Sequence, residues 1–427
     1  MVQSHYDWSD GPAEIEPHSV TKHDVLVGYL VRYFEQRTLN ARGREQLRIT
    51  LVDGFCGGGL YMLSGTGREV LGSPLRMLKA VEEARILINS KRTKPINLDV
   101  QYVFIDKDGR ALSHLKIVLQ NHGYGGDIGR SIHIIHDDFV SASSKVFQQI
   151  RAHTPCAGTA IFFLDQYGYS DVPAPVIQKI FSELRGSEVV LTFHVSAFAN
   201  YTNDKLTDHM SDKLVIDIRA ALGGKSIEQI KDEDSTDWRR FIQAALYQAL
   251  VKDCGAEYFT PFFIRGQGSG QGEYWLVHLS RHPRAQDVMK QVHWKYQNHS
   301  IHYGGPGLDM LSTHMMGFRQ EFTGGFLFDD VALRLSSEAL TEQLAEKIFE
   351  RSQPVQIGQL YASTCNTSPG TSGMYKEVLE TLVSDKDIVI RSKDGSNRKR
   401  AKYMCDTDWI ERNRQGSLFS FQEGRRQ

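Results

Sequence analysis

The chain has few cysteines, and their spacing excludes two common kinds of stabilisation. They are scattered and form no closely spaced pairs: Cys56, Cys156, Cys254, Cys365 and Cys405. A zinc site or a disulfide framework needs paired or regularly spaced cysteines, so neither is indicated. His133 and His136 stand three residues apart on a predicted strand, where they point to opposite faces. We therefore expect a protein without a bound metal.

Long apolar runs and an excess of charge of one sign are also missing. No stretch approaches the length of a membrane span, and the first ten residues are polar. The 427 residues carry a net charge of −1, and no internal repeat is evident. With 41% hydrophobic residues the chain suits two or three domains. A cytoplasmic protein that does not bind a membrane is the simplest expectation.

The most informative segment is a glycine-rich turn that follows an apolar strand ending in Asp53. Glycines let the backbone approach a ligand closely, and the amides that open the next helix would face that ligand. The dinucleotide-binding fingerprint needs a further glycine three residues after Gly59, where Met62 stands. The pattern Asp-x-Phe-x-Gly-x-Gly resembles instead the turn in which class I methyltransferases hold S-adenosylmethionine (SAM). A tight connection without a ligand is the alternative.

Strand-like and helix-like patterns alternate along the N-terminal half, in the order of a doubly wound sheet. A helix is predicted over 111–120, and strands are predicted at 48–52, 101–105, 131–135, 159–164 and 189–195. Each of the first four strands delivers a carboxylate at its C-terminal end: Asp53, Asp106, Asp137 with Asp138, and Asp165. In open α/β sheets that edge is where ligands bind.

The sheet is predicted to finish in an antiparallel hairpin. After a mostly helical stretch at about 200–252, β-rich runs at 258–264 and 274–279 are joined by a segment, 265–272, that contains four glycines. This connection has no room for a crossover helix, so the last strand must run antiparallel. We therefore predict an α/β fold, namely a doubly wound, Rossmann-like methyltransferase sheet with an antiparallel last strand.

The carboxylates and the turn suit SAM, which carries a sulfonium cation, an amino-acid head and a ribose. Asp106 is predicted to accept hydrogen bonds from the ribose hydroxyls. Asp53 would lie near the methionine part, together with Phe55, Gly57 and Gly59 of the turn. A carboxylate at a strand end also often caps the helix that follows, and this alternative stays open.

The third strand end is a candidate for the adenine. Asp137 or Asp138 could accept a hydrogen bond from the adenine amino group, with Phe139 against the ring. Capping of the next helix is again the alternative.

The segment after the fourth strand bears on the type of reaction. Methyltransferases that act on exocyclic amines of bases place a polar acceptor, a proline pair and an aromatic residue there. This chain has Asp165 and Tyr167 but lacks the prolines. The site also lacks a Pro-Cys nucleophile, which argues against methylation at carbon 5 of cytosine. Asp165 and Tyr167 are therefore the predicted catalytic residues, and packing of Tyr167 under the loop is the alternative.

The last hundred residues predict a winged helix-turn-helix domain. Helices are indicated at 339–349, 355–365 and 373–383, followed by a hairpin at 388–404 with Asp394-Gly395 at its tip. On a nearly neutral chain, the local excess of basic residues in this hairpin favours contacts with phosphates. Docking of a protein, or a merely solvated turn, is the alternative.

The predicted contacts with nucleic acid lie in the wing and in the third helix. The wing supplies basic side chains: Arg391, Lys393, Arg398, Lys399, Arg400 and Lys402. The third helix, which could enter a major groove, supplies Ser372, Tyr375 and Lys376.

Five segments together resemble one family. They are Thr21-Lys22-His23, the turn at 53–59, Gly72-Ser73-Pro74-Leu75, Phe104-Ile105-Asp106 and Asp165-x-Tyr167-Gly168. Over nearly the whole chain they look like the three-Cys-motif partner proteins (TcmP), although many members carry Asp-Pro-Tyr-Gly where this chain has Gln166. The resemblance implies a methyltransferase-like domain, a winged helix-turn-helix domain and a partner with a three-cysteine, radical-SAM-like motif. It also implies a role in nucleic-acid modification or phage defence.

We predict a methyltransferase-like domain at 1–330 with its helical insertion, a winged helix-turn-helix domain at 335–415, and a tail at 416–427. The expected function is SAM-dependent methylation of DNA or RNA at a base nitrogen. The alternative from a different class is a non-catalytic adaptor that brings nucleic acid to the three-cysteine partner.

Overall fold

The chain packs as two compact units, unit 1 over 1–301 and unit 2 over 302–427. The computed structural model describes residues 6–9, 11–39, 43, 45–90, 92–166, 170–194, 204–233, 247, 251–265, 273–296, 300–302, 305–310 and 326–413. The domain bounds derived from the sequence remain predictions.

Unit 1 is built around one mixed β-sheet. Its described helices are α1 (Pro17–Thr38), α2 (Ser73–Ser90), α3 (Gly109–Asn121), α4 (Phe139–His153), α5 (Ala174–Glu183), α6 (Asp204–Leu214), α7 (Ile218–Ala221), α8 (Ile227–Glu233) and α9 (Pro283–Lys295). Its described strands are β1 (Glu14–Ile15), β2 (Gln46–Asp53), β3 (Leu60–Leu63), β4 (Arg68–Leu71), β5 (Asn97–Asp106), β6 (Ile132–His136), β7 (Ala160–Leu164), β8 (Ser187–His194), β9 (Tyr258–Arg265), β10 (Glu273–Ser280) and β11 (Ser300–His302).

The sheet has the strand order β6-β5-β2-β7-β8-β10-β9, with β11 added beyond β9. The first five strands are parallel, whereas β10 runs antiparallel to both β8 and β9. The predicted α/β fold is confirmed, because a parallel sheet that takes its final hairpin strand between the two preceding strands is methyltransferase-like. The five predicted parallel strands and the two strands of the predicted hairpin all occur, with ends that differ by a few residues.

Hydrophobic patterning explains why β7 lies at the centre of the sheet. Its residues Ala160–Leu164 are apolar throughout and all are buried, as expected of a parallel strand covered on both faces. The core beside it includes the fully buried rings of Tyr29, Phe34, Phe104 and Phe163. Burial of a side chain of this size contributes about 2 kcal/mol to the free energy of unfolding.

The glycine turn does not lead directly into a helix, so this part of the prediction is wrong. A small antiparallel hairpin of β3 and β4 follows the turn, and β1 pairs with β3 in parallel. The helix α2 begins only at Ser73, after this hairpin. Alternate residues of β3 and β4 face a satellite core that includes Trp8, Ile15, Tyr61 and Val70, which explains why the segment is extended.

Unit 2 contains the three helices and the hairpin of a winged helix-turn-helix domain. Its described helices are α10 (Asp330–Phe349), α11 (Ile357–Thr364) and α12 (Ser372–Ser384). Its described strands are β12 (Phe326–Leu327), β13 (Val355–Gln356), β14 (Ile388–Arg391), β15 (Asn397–Arg398) and β16 (Trp409–Arg412). Four of them form a sheet in the order β13-β16-β14-β15.

The wing is shorter than predicted. The turn at Asp394-Gly395 is confirmed, but β15 ends at Arg398, and a 3-10 turn occupies Ala401–Tyr403 where the sequence predicted strand. The backbone N–H of Ala401 donates to Glu380 at 2.6 Å, which draws this segment onto α12 and away from β14. Among the residues that the structure describes, no helix is both long and apolar enough to cross a membrane.

Candidate active site and nucleic-acid interface

The glycine turn is hydrogen-bonded to the strands on either side of β2. The N–H of Gly54 donates to the carbonyl of Phe163 at 2.9 Å, and that of Cys56 donates to Ile105 at 2.9 Å. Gly57 has a φ of +58°, a conformation that favours glycine. Its N–H donates to Oδ2 of Asp106 at 2.9 Å. The turn is thus fixed at the C-terminal edge of the sheet.

Asp106 lies where the sequence placed it, at the end of β5. Its Oδ2 accepts from Gly57, and its Oδ1 accepts from the backbone N–H of Asp108 at 2.8 Å. Burial raises the pKa of Asp106, and the two backbone donors partly offset that rise. Each oxygen retains a further lone pair, so the carboxylate can accept additional hydrogen bonds.

Asp53 is fully buried at the end of β2. Its Oδ1 accepts from the N–H of Phe55 at 3.2 Å, whereas its Oδ2 has no hydrogen-bond partner. Burial raises the pKa of Asp53 to about 7, against the opposing effects of the Ser73 hydroxyl and the Phe55 amide. Near neutral pH this carboxyl is therefore poised between its two protonation states. Phe55 itself, in the turn, is half-buried.

Asp165 follows β7 and is held by two donors on one oxygen. Lys22 Nζ lies 2.7 Å from Oδ1, and the Thr192 hydroxyl donates to the same atom. Burial alone would raise the pKa of Asp165, but Lys22 and Thr192 together lower it, so the group is a carboxylate at neutral pH. Its side chain remains 15% exposed, which leaves Oδ2 for other donors.

The three carboxylates form one cluster. Asp53 pairs in register with Phe104 of β5 and with Phe163 of β7, so Asp106 and Asp165 each lie two residues beyond the level of Asp53. The negative charges of Asp165 and Asp106 both raise the pKa of Asp53. The structure thus brings together three residues that the sequence placed at the ends of separate strands.

Two residues beside Asp165 were not singled out as site residues. His23 is buried, its Nδ1 has no hydrogen-bond partner, and burial and the nearby Arg76 lower its pKa to about 3. The imidazole is therefore neutral. Lys22 precedes it on α1, and only the Thr21-Lys22-His23 motif of the resemblance signalled these two positions.

The residue after Asp165 accepts hydrogen bonds from the backbone of two described residues further along the chain. Oε1 of Gln166 accepts from the N–H groups of Asp171 and Val172 at 2.9 and 3.1 Å. Its Nε2 is buried without a partner. Tyr167, the predicted stacking residue, lies outside the described residues, so its role stays a prediction.

The residues predicted for the adenine have structural roles. Oδ1 of Asp138 accepts from the N–H of Ser141 at 3.0 Å and caps α4. Oδ1 of Asp137 accepts from the N–H of Asp138 at 2.9 Å. Phe139 is 1% exposed and packs against Phe162 and the backbone of Gly54. The first residue of α4 points into the core, so the placement of Phe139 against an adenine ring is corrected.

An aromatic cover that the sequence did not predict lies on the glycine turn. It consists of Tyr6, Trp8, Tyr61 and His114. The Trp8 ring centroid lies 5.0 Å from that of Tyr61 and 5.2 Å from that of His114, and Tyr6 lies 5.4 Å from Tyr61. His114 Nδ1 is 2.8 Å from the carbonyl oxygen of Gly58. The cover is close enough that a Cβ on Gly58 would come within 2.3 Å of Trp8.

Gly57 and Gly59 are also limited by neighbouring side chains. A Cβ on Gly57 would come within 2.0 Å of the Tyr61 hydroxyl, and one on Gly59 within 2.7 Å of Leu115. Both glycines have positive φ angles. Close packing of the turn against β3 and α3 therefore accounts for part of the glycine pattern.

In unit 2 the predicted contacts on α12 differ in accessibility. The Tyr375 ring is 1% exposed and its hydroxyl lies 3.0 Å from Oγ1 of Thr364. Burial raises the pKa of Tyr375, and we correct this residue from a nucleic-acid contact to a core residue. Lys376 is half-buried, with Nζ 2.9 Å from Oδ1 of Asp406. Ser372 is the first residue of α12 and is half-buried.

Half of the basic side chains in the wing are paired with acids from outside the hairpin. The pairs are Arg391 with Glu411 at 2.9 Å, Arg398 with Asp408 at 3.8 Å, and Arg400 with Glu380 at 2.8 Å. Within the described part of unit 2, the exposed Lys393, Lys399 and Lys402 make no ion pair. These lysines are the wing cations without an acidic partner among the described residues of unit 2.

Comparison with known protein families supports the winged helix-turn-helix assignment in unit 2. Residues 317–395 match the family model of the GMT-like wHTH domain. No curated protein matches the chain.

Three solved structures show distant similarity to this chain. An rRNA methylase from Streptococcus thermophilus shares 10% identity at a TM-score of 0.28, over 61% of this chain and 94% of that chain. The plantazolicin methyltransferase BamL, solved with a triazolic desmethylPZN analogue and SAH, shares 11% at 0.23, over 61% and 85%. A spermidine synthase with the transition-state analogue AdoDATO shares 9% at 0.26, over 64% and 63%. The assignment of the fold depends on the strand order itself.

Proposed function

We propose that this protein is a SAM-dependent methyltransferase that acts on nucleic acid at a base nitrogen. One observation carries the proposal: Asp53, Asp106 and Asp165 end adjacent parallel strands around a fixed glycine turn, in a sheet of methyltransferase order. Ligands of open α/β sheets bind at this edge.

Residues at the ends of β2, β5 and β6 suit the cofactor. Asp106 keeps lone pairs for the two ribose hydroxyls, and Gly57, Gly59 and Phe55 provide a turn that is already bound to the sheet. Asp53 is proposed to lie near the methionine part of SAM: its Oδ1 accepts from Phe55 of the turn, and its Oδ2 is buried without a partner. Asp137 and Asp138 are exposed and remain candidates for the adenine amino group. SAM, when bound, supplies an electrophilic methyl group on a sulfonium.

Asp165 suits the acceptor. A carboxylate with one occupied oxygen and one accessible oxygen can accept a hydrogen bond from the NH2 group of a base and orient its nitrogen toward the methyl group. We propose that Tyr167 stacks on the same base. The nucleotide that carries this base would have to leave the helical stack to reach Asp165 and Tyr167.

Unit 2 would hold the nucleic acid. The lysines of the wing, Lys393, Lys399 and Lys402, are proposed as its main phosphate contacts, with the partly paired Arg391, Arg398 and Arg400 contributing less. By resemblance to the TcmP proteins, a three-cysteine, radical-SAM-like protein would be the partner and phage defence the setting.

The aromatic cover favours a second candidate, a non-catalytic adaptor. Trp8 is only 7% exposed and lies directly on the turn that would hold the cofactor. A protein that never binds SAM could keep this cover closed and serve only to bring nucleic acid to its partner.

Calorimetry with SAM, followed by transfer of a labelled methyl group to mixed DNA and RNA, tests the proposal. Asp106→Ala should weaken SAM binding by about 1.5 to 3 kcal/mol, the value of hydrogen bonds to a charged group. Asp165→Asn should abolish transfer while SAM affinity stays within about threefold, because the residue acts on the acceptor.

Asp99→Asn is the matched control, because Asp99 lies near the opposite end of β5. It should change neither affinity nor transfer. Protein that binds SAM but transfers no methyl group, even with its proposed partner present, would leave the adaptor as the function.

A further inference from the structure

The third helix of the winged domain presents acid, not base, to the solvent. Glu377 is exposed, Glu380 is half-buried and paired with Arg400, and the single lysine of α12, Lys376, is paired with Asp406. Duplex DNA carries a phosphate charge about every 1.7 Å along its axis. Insertion of α12 into a major groove would therefore bring like charges together.

A groove lies beside this helix. It has a volume of about 830 Å³ and runs between α12 and the segment 400–403. The Arg400 and Ala401 contacts with Glu380 hold that segment in place. The walls are thus fixed, and Glu377 offers the groove a carboxylate that can accept from an amine.

An exposed aromatic ring forms one side of the groove. Tyr403 is 59% exposed, which leaves much of its ring accessible to a ligand. Lys402 Nζ lies 4.8 Å from the ring centroid. A cation over one face leaves the other face for a planar group, and bases stack on such rings whatever their identity.

The free cations of the wing lie on the chain that leads to this ring. Lys399 and Lys402 flank the segment 400–401 and are exposed, and neither makes an ion pair within the described residues. An exposed ring next to unpaired cations is the combination with which proteins bind single strands.

We propose that this groove binds an unpaired strand of nucleic acid, with one base stacked on Tyr403 and phosphates on Lys399 and Lys402. In a duplex both the face and the Watson–Crick edge of a base are concealed, so neither Tyr403 nor Glu377 could reach them. The inference rests on the proposed binding of nucleic acid and names its form.

Fluorescence anisotropy of the full chain with short labelled strands, in single-stranded and duplex form and as DNA and RNA, tests this inference. We expect single strands to bind at least tenfold more tightly than the matching duplex. Tyr403→Ala should weaken binding of the single strand by about tenfold, and Tyr403→Phe should retain it. Lys399→Ala with Lys402→Ala should reduce the slope of log affinity against log salt by roughly 0.7 for each phosphate that the variant no longer binds.

Trp409→Ala is the matched control, since Trp409 is an exposed aromatic on β16 that does not line the groove. Circular dichroism establishes that each variant is folded. Tighter binding of duplex, or no effect of Tyr403→Ala, would overturn the single-strand inference while nucleic-acid binding stands. No binding of any nucleic acid at low salt would overturn the proposed binding itself and leave a protein partner for unit 2.

Discussion

The ammonium of Lys22 lies 2.7 Å from Oδ1 of Asp165, and the two side chains expose only 6% and 15% of their surface. The pair joins α1 to the end of β7 across 143 positions of sequence. A buried partner of opposite charge keeps a carboxylate ionised. Lys22 therefore sets the charge of the residue that we propose to orient the methyl acceptor.

Lys22→Met should destabilise the protein in a pH-dependent way. It leaves a largely buried carboxylate without its counter-charge, so we expect the free energy of unfolding to fall by about 3 kcal/mol at pH 7. The pair lowers the pKa of Asp165, and its stabilisation is lost as the pH falls through that pKa. The difference in free energy of unfolding between the variant and the wild type should therefore shrink in acid. Urea unfolding at several pH values measures this difference.

Lys22→Arg, which keeps the charge, serves as the conservative variant and should lose much less stability. The double variant Lys22→Met with Asp165→Asn should recover most of the loss, because no buried charge is left unpaired. A loss of equal size at every pH would show that Lys22 acts through packing alone.

The succession of strands along unit 1 could be predicted because each signal is local. The apolar run of β7, the carboxylates that end β2 and β5, and the carboxylate that follows β7 are visible as short patterns. The β3–β4 hairpin was missed because the glycine turn resembles one that precedes a helix. Only the satellite core around Tyr61 and Trp8 explains why the chain forms strands there.

Residue roles that depend on distant partners could not be predicted. The wing looks strongly basic when its own residues are counted, but Glu380, Asp408 and Glu411 neutralise three of its arginines. An apolar residue after a strand can face either a pocket or the core. Phe139 faces the core, because its ring packs against Phe162. Such contacts become visible only in three dimensions.

Asp53→Asn should stabilise the protein at alkaline pH. The pKa of Asp53 is about 7 in the folded protein, above its ordinary value of 3.8. Between these values the folded state holds a proton that the unfolded state has released, so stability falls as the pH rises through this window. At one pKa unit per 1.36 kcal/mol, the variant should match the wild type near pH 4 and exceed it by about 4 kcal/mol at pH 8. A constant difference in urea unfolding would show that Asp53 ionises normally.

Gly58→Ala should destabilise the protein through its contact with Trp8. The new Cβ would lie 2.3 Å from a ring carbon of Trp8, so the aromatic cover must move. Overpacking of this kind costs about 1 to 3 kcal/mol. In a Trp8→Ala background the same change should cost little, and thermal unfolding of the four proteins completes the cycle. If the two changes were additive, the cover would not rest on the turn as described.

Tyr29→Phe should remove the hydrogen bonds of a tyrosine that is fully buried in the core. The Tyr29 hydroxyl donates to Glu188 and lies 3.1 Å from Nε2 of His278, whose ring is also fully buried. Loss of a buried donor to a carboxylate leaves the partner under-satisfied, so we expect the free energy of unfolding to fall by about 2 kcal/mol. Tyr124→Phe is the matched control, because the Tyr124 hydroxyl donates to Glu82 at 2.8 Å in an exposed position. For this control the loss in free energy of unfolding should stay below about 0.5 kcal/mol, since water can donate to Glu82 in place of the phenol hydroxyl. Equal losses in urea unfolding would mean that burial adds nothing to the Tyr29 bond.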